Sequence, residues 1–372
     1  DQFRTESYAL VMELGHEGDP ITFGAIVPGF FRDEGSLVVA EYLESQIVRI
    51  SMDGPGVEVL GGEGDGPGEF HQIRAVGLHS DSLIWAADRV NGRATLMDDR
   101  GRTHATATVT DFYFDPPVRP VGATAVLTDG SLLVTPDRPQ AMWMLTDTLF
   151  HQPLIRVGWG GQSVDTLFDP PPAHLGLDLY IPDVWDSPLH TARVLREDAQ
   201  VDVSPDGELV GFLHRTHGLD DRTGGTLYLL DVTRPEAGVD SVRIPIPPIP
   251  FSREEVEDRV ARMDLGVTGR TPSNLADGLI QHFRSNMEAL PEWISPLVRF
   301  RIDSEHSLWL GVEDVYLGDL TWYRRRRGEE DWARVELERP VWRVIGAWGN
   351  QVAGILRDDL KVQTLAVFER IH

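Results

Sequence analysis

The chain of 372 residues contains no cysteine and only one lysine, Lys361. Without cysteine it has no disulfide, no thiolate metal site, no iron–sulfur cluster and no cysteine nucleophile. Long apolar runs are missing too, because none approaches the roughly 18 residues that a membrane-spanning helix needs. The G-x-S-x-G, HExxH and dinucleotide-binding patterns are also absent, so no familiar catalytic motif identifies a reaction.

Positive charge is scarce, with 34 basic residues against 59 acidic ones and a formal net charge of −25. Such a field repels nucleic acids and anionic membrane surfaces and favours cations or basic partners. We therefore expect no nucleic-acid partner. Two explanations of the acidic, lysine-poor composition stay open, namely a GC-rich genome and adaptation to salt.

The amino terminus reads DQFRTE, with neither a Met nor an apolar leader. This beginning is typical of a mature or trimmed chain. We expect an extracytoplasmic bacterial protein, periplasmic or on the cell surface.

A repeated pattern runs through the sequence: a turn, an apolar strand that ends near an acidic residue, a polar turn and an alternating strand. Short β-rich runs with Gly, Asp and Asn at the breaks are typical of strands and hairpins. The six copies lie at 35–53, 81–99, 129–147, 206–231, 305–323 and 349–369.

Six copies of this length predict an all-β fold, a six-bladed β-propeller formed by residues 1–372 as one domain. Each blade is expected to be a four-stranded antiparallel sheet whose innermost strand lines a central channel. The last copy has only three strands of its own. The orphan strand YALVMELG at 8–15 is expected to supply the fourth and close the ring, which removes an exposed edge.

The segment GGEGDGPGEF at 61–70 combines five glycines with three carboxylates and no basic residue. A phosphate loop needs a lysine and a following helix, whereas a strand follows here. A calcium loop needs alternating oxygen ligands, which Glu63, Asp65 and Glu69 match only in part. We favour a structural crossing between two blades, with glycines at positive φ.

GDGPGEF, followed by a strand and SLIWAADRVNGRATLMDDRGR, resembles six-bladed β-propeller proteins of exported bacterial families, in which a G-x-GPGEF/Y segment introduces a blade. AADRVNGRATLMDDRG is similar to an NHL-type repeat, with Asp88, Asn91 and Arg93 at its motif positions. VSPDGELVGF at 203–212 is similar to the repeat of TolB-like propellers. The resemblance implies the fold, and it implies a turn-bonding role for Asp88 and Asn91. These families include binding proteins, lyases and lactonases, so it implies no single activity.

Long irregular segments fall on one face of the predicted ring, the face that carries the links from each outer strand to the next inner strand. They are 61–71, 110–120, 158–192 and 247–296. Within the last, Ser252 and Glu255 form a capping box, and 275–287 shows helical spacing, which predicts a small helical insertion. The insertions either cover apolar blade edges or frame the channel mouth. We expect binding on this face, because function on rigid scaffolds is concentrated in loops.

Three groups of side chains are candidates for the site. Arg74 begins a predicted inner strand with Glu69 and His71 beside it, so its guanidinium is expected at the channel mouth, where a carboxylate or an anionic ligand would satisfy it. Trp185 and Trp293, in long segments, form either an aromatic platform or part of the core. The third group, in the predicted second-to-third strand link of the fourth blade, is either a divalent-metal site or a polar surface loop. Its members are His214, His217 and Asp220.

Several further patterns bear on function. WYRRRRGEEDW at 322–332 reads as a hairpin on a solvated blade rim. The predicted inner strands VGATAVL, LVRFRID and VWRVIGAW are apolar apart from arginines, which disfavours a central metal cage. We favour a non-catalytic module that binds a small ligand or a protein partner, without a required cofactor. The alternative is a metal-dependent propeller enzyme, lactonase-like or lyase-like, with calcium or zinc at the channel mouth. Whether a reaction is catalysed, and the oligomeric state, stay open.

Overall fold

The structure is a computed structural model in which nearly all described residues belong to β-strands or the turns between them. It describes residues 3–54, 56–80, 82–108, 120–136, 149–150, 153–161, 163–171, 173–174, 178–180, 191–193, 200–215, 224–250, 254, 293–313, 320–358, 360 and 362–371. The predicted helical insertion lies almost wholly outside these residues. Among the described residues, no helical segment is long and apolar enough to cross a bilayer.

The strands are numbered along the chain. The first half comprises β1 (Arg4–Leu14), β2 (Ile26–Asp33), β3 (Ser36–Glu41), β4 (Gln46–Ser51), β5 (Val57–Val59), β6 (Gly62–Glu63), β7 (Glu69–Phe70), β8 (Ile73–His79), β9 (Leu83–Asp88), β10 (Arg93–Asp98), β11 (Thr103–Thr108), β12 (Pro120–Val126), β13 (Leu132–Pro136), β14 (Leu149–Phe150), β15 (Leu154–Val157) and β16 (Val164–Phe168). The second half comprises β17 (Ala173–His174), β18 (Asp178–Tyr180), β19 (Thr191–Arg193), β20 (Gln200–Val203), β21 (Leu209–Arg215), β22 (Gly225–Asp231), a 3-10 helix (Pro235–Ala237), β23 (Val239–Arg243), β24 (Ile249–Pro250), β25 (Trp293–Ile294), β26 (Leu297–Ile302), β27 (Leu308–Glu313), β28 (Leu320–Arg325), β29 (Ala333–Leu337), β30 (Arg343–Trp348), β31 (Gln351–Arg357) and β32 (Gln363–Arg370).

Four sheets have four strands each, in the orders β2-β3-β4-β5, β8-β9-β10-β11, β12-β13-β15-β16 and β20-β21-β22-β23. All neighbours within them are antiparallel, as expected for strands joined by short polar turns. Four short two-stranded pairs also occur in the described residues, namely β6 with β7, β14 with β17, β18 with β19, and β24 with β25. The predicted all-β class and the propeller-like arrangement are confirmed.

The fifth sheet has eight strands in the order β26-β27-β28-β29-β1-β32-β31-β30. The second half of β1 pairs antiparallel with β32, which confirms that the N-terminal strand joins the final strands. The first half of β1, from Arg4 to Tyr8, pairs parallel with β29, which the sequence did not predict. With four four-stranded sheets and one eight-stranded sheet in the described residues, the six-blade count stays a prediction. The one-domain organisation also stays a prediction.

The sheets pack face to face through their second strands. In β3, Leu37, Val38, Val39 and Ala40 are all fully buried. Because successive side chains of a strand point to opposite faces, alternate residues serve different neighbours. Val38 packs in a cluster with Ile84 of β9, whereas Val39 packs in a cluster with Ala353 of β31. This two-sided burial explains why the second strands are nearly continuous apolar runs.

GGEGDGPGEF connects the first four-stranded sheet to the second, which confirms the structural interpretation. Gly64 and Gly68 have positive φ, at 149° and 79°, whereas Gly66 does not, so the prediction of positive φ is confirmed for two glycines only. The Gly66 amide donates to the Glu69 carboxylate at 2.7 Å, so a side-chain anion already occupies the turn. Arg93 donates to the carbonyl oxygens of Asp65 and Gly66 at 3.0 and 3.2 Å.

The role implied for Asp88 and Asn91 is confirmed. Asp88 is buried and accepts backbone N–H bonds from His71 at 2.9 Å and from Val90 at 3.0 Å. The Asn91 side-chain amide donates to the same carboxylate at 3.0 Å. The Asp88 carboxylate thus links the hairpin turn after β9 to the residues that precede β8.

Two sequence interpretations need correction. In the third repeat, the partner of β13 is β15, later in the chain than predicted, and 137–148 lie outside the described residues. The solvated-rim interpretation of 322–332 is wrong for Arg324, whose side chain is 1% exposed. Arg324 donates to Glu305 at 2.9 Å and stacks over the Trp309 ring at 5.1 Å, so carboxylates from a neighbouring turn balance its buried charge.

Candidate functional site

A central cavity of about 490 Å³ is lined by the first strands of the sheets, β2, β8, β12, β20, β26 and β30. This volume is in the range of pockets that hold small organic ligands. The lining contains five arginines, Arg74, Arg215, Arg299, Arg301 and Arg343. Among the described lining residues, Asp202 is the only carboxylate. The described lining therefore carries more positive than negative side chains, although the whole chain carries a net charge of −25.

Strand direction explains why these arginines meet. Arg74 is the second residue of β8, Arg299 the third of β26 and Arg343 the first of β30, so each lies where an inner strand begins. Arg215 ends β21, which runs antiparallel to β20 and therefore reaches the same end of that strand. This end faces the links that carry the long insertions, the face on which the sequence predicted binding.

Arg301 forms an ion pair with Asp202 in the cavity. Its Nη1 donates to Asp202 Oδ1 at 3.0 Å, and its Nε donates to the Ile345 carbonyl oxygen at 3.0 Å. Asp202 Oδ2 accepts from the Ile302 amide at 2.6 Å. Burial raises the pKa of the Asp202 carboxyl, and the Arg301 guanidinium and the Ile302 amide oppose that shift. The pair joins β20 to β26 and involves the one carboxylate among the described lining residues.

Arg343 is in a different situation. Its guanidinium makes no hydrogen bond or ion pair with any residue that the structure describes. Burial, followed by repulsion from Arg299 and Arg301, lowers the pKa of Arg343 to about 10, with Asp202 acting in the opposite direction. At neutral pH the group stays protonated. A positive charge without a described partner therefore lies among other positive charges.

Arg299 connects the cavity to the outer surface through an aromatic ring. Its guanidinium carbon lies 5.4 Å from the centre of the Trp342 ring, and that of the exposed Arg357 lies 5.0 Å from it. Both distances are in the range of cation–π attraction. The Trp342 ring thus contacts one arginine that lines the cavity and one at the surface.

The remaining lining is uncharged. On β12 and β13, the hydroxyls of Thr124 and Thr135 are 3.0 Å apart and share a hydrogen bond, between the small side chains of Ala123 and Ala125. Gln200 of β20 donates its amide to the Val298 carbonyl oxygen at 2.7 Å. A hydroxyl and an amide oxygen keep further bonding capacity, so this wall can accommodate polar as well as apolar parts of a ligand.

The predicted residues are dispersed. Arg74 lines the cavity, as expected, but Glu69 lies in β7 and His71 between β7 and β8, where His71 Nε2 lies 2.9 Å from Asp65 Oδ1. Trp293 lies in β25 and is 45% exposed. Trp185, His217 and Asp220 lie outside the described residues. The assignment of all of these as binding or metal residues stays a prediction.

His214 lies in β21 opposite Thr226, so its placement in the strand link was wrong. The strand continues to Arg215 because the pairing with β22 extends to Gly225. Arg215, Arg299, Arg301 and Arg343 were not predicted as site residues. A basic residue inside an otherwise apolar inner strand is the signal that could have identified the last three, but it was used only as an argument against a metal cage.

One group of potential metal ligands occurs in the described residues. Ligand-type atoms of Asp206, Glu208 and His306 lie within 4.8 Å of one another, at the turns after β20 and β26. The Arg327 guanidinium donates to His306 Nδ1 at 2.8 Å, so Nε2 carries the proton and donates to Asp206 at 2.7 Å. This network satisfies the imidazole, and the nearby Arg327 charge opposes a cation.

No protein-family model matches the chain, and no curated protein matches its sequence. Among solved structures, it is similar to regucalcin from Agrobacterium tumefaciens, described as a calcium-binding protein, with 12% identity, TM-score 0.43 and coverage of 98% of this chain and 96% of that one. It is similar to oligogalacturonate lyase from Vibrio parahaemolyticus, with 10% identity, TM-score 0.47 and coverage of 97% of each chain. A third is the β-propeller domain of the Trilobed protease from Pyrococcus furiosus, with 10% identity, TM-score 0.42 and coverage of 92% and 82%.

These similarities concern the fold alone. The propeller-like arrangement itself rests on the strand topology. Activity has to be argued from the cavity itself.

Proposed function

We propose that the protein is a non-catalytic binding module that holds a small anionic ligand in its central cavity. The observation that carries the proposal is Arg343, a protonated and partly buried guanidinium with no hydrogen-bond or ion-pair partner in the described part of the chain. Burying a charge without a partner is costly, and a bound anion removes that cost. Guanidinium groups also match carboxylate, phosphate and sulfate geometry in a bidentate manner.

The surroundings of Arg343 support the same conclusion. Arg299 and Arg301 raise the local positive potential, and the only described carboxylate in the lining already bonds to Arg301. The acidic outer surface repels anions at long range. Weakly held anions are therefore disfavoured, and recognition depends on contacts inside the cavity.

The alternative, a metal-dependent enzyme with its site at the channel mouth, has less support. Asp202 is the only carboxylate and no histidine occurs among the described lining residues, whereas a hard cation needs several oxygen ligands. Five arginines around the same space oppose a cation. The Asp206, Glu208 and His306 group lies outside this cavity lining, at turns that follow β20 and β26.

Thermal unfolding in matched sodium salts tests the proposal. At constant ionic strength, phosphate, sulfate and citrate are each compared with chloride for the wild type, Arg343→Gln and Arg100→Gln. Arg100 is exposed on the turn after β10 and is the matched control. We expect at least one of the three anions to raise the melting temperature of the wild type and of the control, because a ligand that binds only the native state stabilises it.

Arg343→Gln should lose that increase. Equal increases in all three proteins would mean that the anions act on the surface, and this would overturn the proposal. No increase in any of them would also count against it.

A further inference from the structure

Three turns on the face where the inner strands begin carry exposed aliphatic side chains. Each turn joins the second strand of a sheet to the third: 42–45 joins β3 to β4, 89–92 joins β9 to β10, and 358–362 joins β31 to β32. The exposed fractions are 63% for Leu43, 58% for Val90, 84% for Leu360 and 47% for Val362. Tight turns favour Gly, Asn, Asp, Ser and Pro, so turn geometry does not require these aliphatic residues. The three other turns of this kind lie wholly or largely outside the described residues.

The opposite face differs in the part of the chain that the structure describes. Its turns join first strands to second strands and third strands to fourth strands. The other exposed large apolar side chains lie within strands or after the last one, namely Val11, Val59, Val164, Val239, Trp293 and Ile371. Singly scattered apolar residues are ordinary on a protein surface. Here, however, every exposed one in a described turn between paired strands belongs to the same face.

Contacts connect the first of these turns to the last. A Cβ added at Gly24 would lie 3.1 Å from Leu43 Cγ, so the leucine side chain lies against the Gly24 backbone. Phe23, next to Gly24, forms a β-bridge with Gln363, the residue that follows Val362. The turns 42–45 and 358–362 are therefore close neighbours.

Hydrogen bonds connect the first turn to the second. The Ser45 hydroxyl donates to the His71 carbonyl oxygen at 2.5 Å. The His71 amide donates to Asp88 at 2.9 Å, and the same carboxylate accepts from the Val90 amide at 3.0 Å. The turns of three neighbouring sheets thus form one connected surface, which we call the turn surface and define by Leu43, Val90, Leu360 and Val362.

The charges around the turn surface are mostly negative. The links 15–25 and 61–71 run from an outer strand to an inner strand and reach the same face. In these links and the three turns, the exposed carboxylates are Glu17, Glu44, Glu63, Asp65, Glu69 and Asp358. Arg89 is exposed in the second turn, and Arg357 just before the third. Asp359 and Lys361, one of each sign, lie outside the described residues. The aliphatic side chains therefore have an acidic surround.

We propose that the turn surface is a docking site for a protein partner that presents apolar side chains flanked by lysine or arginine. Contact with the partner removes the aliphatic side chains from water, and the carboxylates around them attract and orient its basic residues. A second copy of this chain carries the same acidic surround, and an anionic bilayer is also repelled, so neither fits this surface. The site is separate from the cavity, and the inference goes beyond the proposed function.

Fluorescence anisotropy with labelled peptides tests the inference on the full chain. The probes are an amphipathic peptide of lysine and leucine, its glutamate–leucine counterpart and a lysine–serine peptide, all of the same length. At physiological ionic strength we expect the lysine–leucine peptide to bind about tenfold or more tightly than each of the others, because only this peptide offers both contacts.

The apolar contribution is measured with two double variants. Leu43→Ser/Val90→Ser should weaken binding of the lysine–leucine peptide about tenfold. The matched control is Val164→Ser/Val239→Ser, which removes two aliphatic side chains that are exposed in outer strands, and it should bind as the wild type does. Circular dichroism and melting temperature confirm that each variant is folded.

The charge contribution is measured separately, with the aliphatic side chains left in place. Glu44→Gln/Glu63→Gln should weaken binding of the same peptide, and the loss should shrink at high salt. The matched control is Glu34→Gln/Glu236→Gln, which makes the same change in net charge at exposed positions on the opposite face. This control should bind the peptide nearly as tightly as the wild type does.

Three results would overturn the inference. Equal losses in the turn variants and their controls would show that the peptide responds only to the net charge of −25. Equal binding of the lysine–serine or glutamate–leucine peptide would remove one of the two proposed contacts. No binding of any peptide would remove the docking site. None of these results bears on the cavity, because the variants leave its lining unchanged and the anion experiment depends on Arg343.

Discussion

Arg301 and Asp202 form an ion pair across two first strands, with Arg301 Nη1 donating to Asp202 Oδ1 at 3.0 Å. Their side chains are only 15% and 17% exposed. A pair so placed stabilises the junction between β20 and β26, and it engages the single carboxylate among the described lining residues of the cavity. The charge balance of the cavity therefore depends on this contact.

Arg301→Gln should lower the free energy of unfolding by about 3 kcal/mol, because it leaves the Asp202 carboxylate buried without its guanidinium. Chemical denaturation with urea measures the change. The double variant Arg301→Gln/Asp202→Asn should be clearly more stable than the single variant. Equal losses in both proteins would show that the pair is not what stabilises this junction.

Asp202→Asn should tighten anion binding, by up to about tenfold, because it removes the only described negative charge from the lining. The variant should also be less stable than the wild type, since Arg301 then lacks its partner. Calorimetry with the anion that stabilises the wild type measures the change in binding, and urea denaturation measures the change in stability. Weaker binding in a folded variant would contradict the assignment of the ligand to this cavity.

Glu6 should make stability depend on acid pH. Burial alone raises the pKa of its carboxyl, but Arg326, the Tyr8 hydroxyl and Arg370 outweigh it, and the net shift is downward from 4.5. A carboxyl whose folded-state pKa is depressed stabilises the fold fully above its unfolded-state pKa and loses that contribution as pH falls through the folded-state pKa. The contribution should therefore be complete above about pH 4.5 and decline below it.

The comparison of wild type with Glu6→Gln measures this. The variant should be about 2 kcal/mol less stable at pH 7, because the partly exposed Arg326 and Arg370 and the Tyr8 hydroxyl lose their buried carboxylate partner, and the difference should shrink below pH 4.5. The exposed Glu17→Gln is the control and should follow the wild type. A difference that stays constant with pH would rule out a role for Glu6 ionisation.

Gly68→Ala should lower the free energy of unfolding by about 1–2 kcal/mol, because Gly68 has a φ of 79° and a Cβ makes that region costly. Gly62→Ala is the matched control in the same segment: its φ is not positive, and an added Cβ would contact nothing within 4 Å. Thermal or urea unfolding compares the two. Equal losses of stability in the two variants would show that the positive φ of Gly68 does not cause the loss.

The sheets were predictable from the sequence because their determinants are local. Turn residues, alternating strands and an orphan strand at the N terminus each occupy a short stretch, and β3 with β4 or β9 with β10 appear where the repeats placed them. The parallel contact of β1 with β29 was not predictable, since a strand's pattern tells which face is buried and not which second neighbour it has.

The candidate site was harder to predict for a related reason. Its arginines are single residues in separate strands, from Arg74 to Arg343, and only the closed arrangement of sheets brings them to one cavity. Arg74 was found because it follows a recognisable blade entry. Arg324 shows the opposite error: a run of four arginines suggested solvent exposure, yet one of them is buried against Trp309.

Diffraction from a crystal equilibrated with selenate tests the central claim most directly, because selenium locates the anion by its anomalous signal. We expect an anomalous peak inside the cavity, within hydrogen-bonding distance of the Arg343 guanidinium, and its loss in crystals of Arg343→Gln. Selenate peaks confined to surface arginines such as Arg100, with none in the cavity, would contradict it.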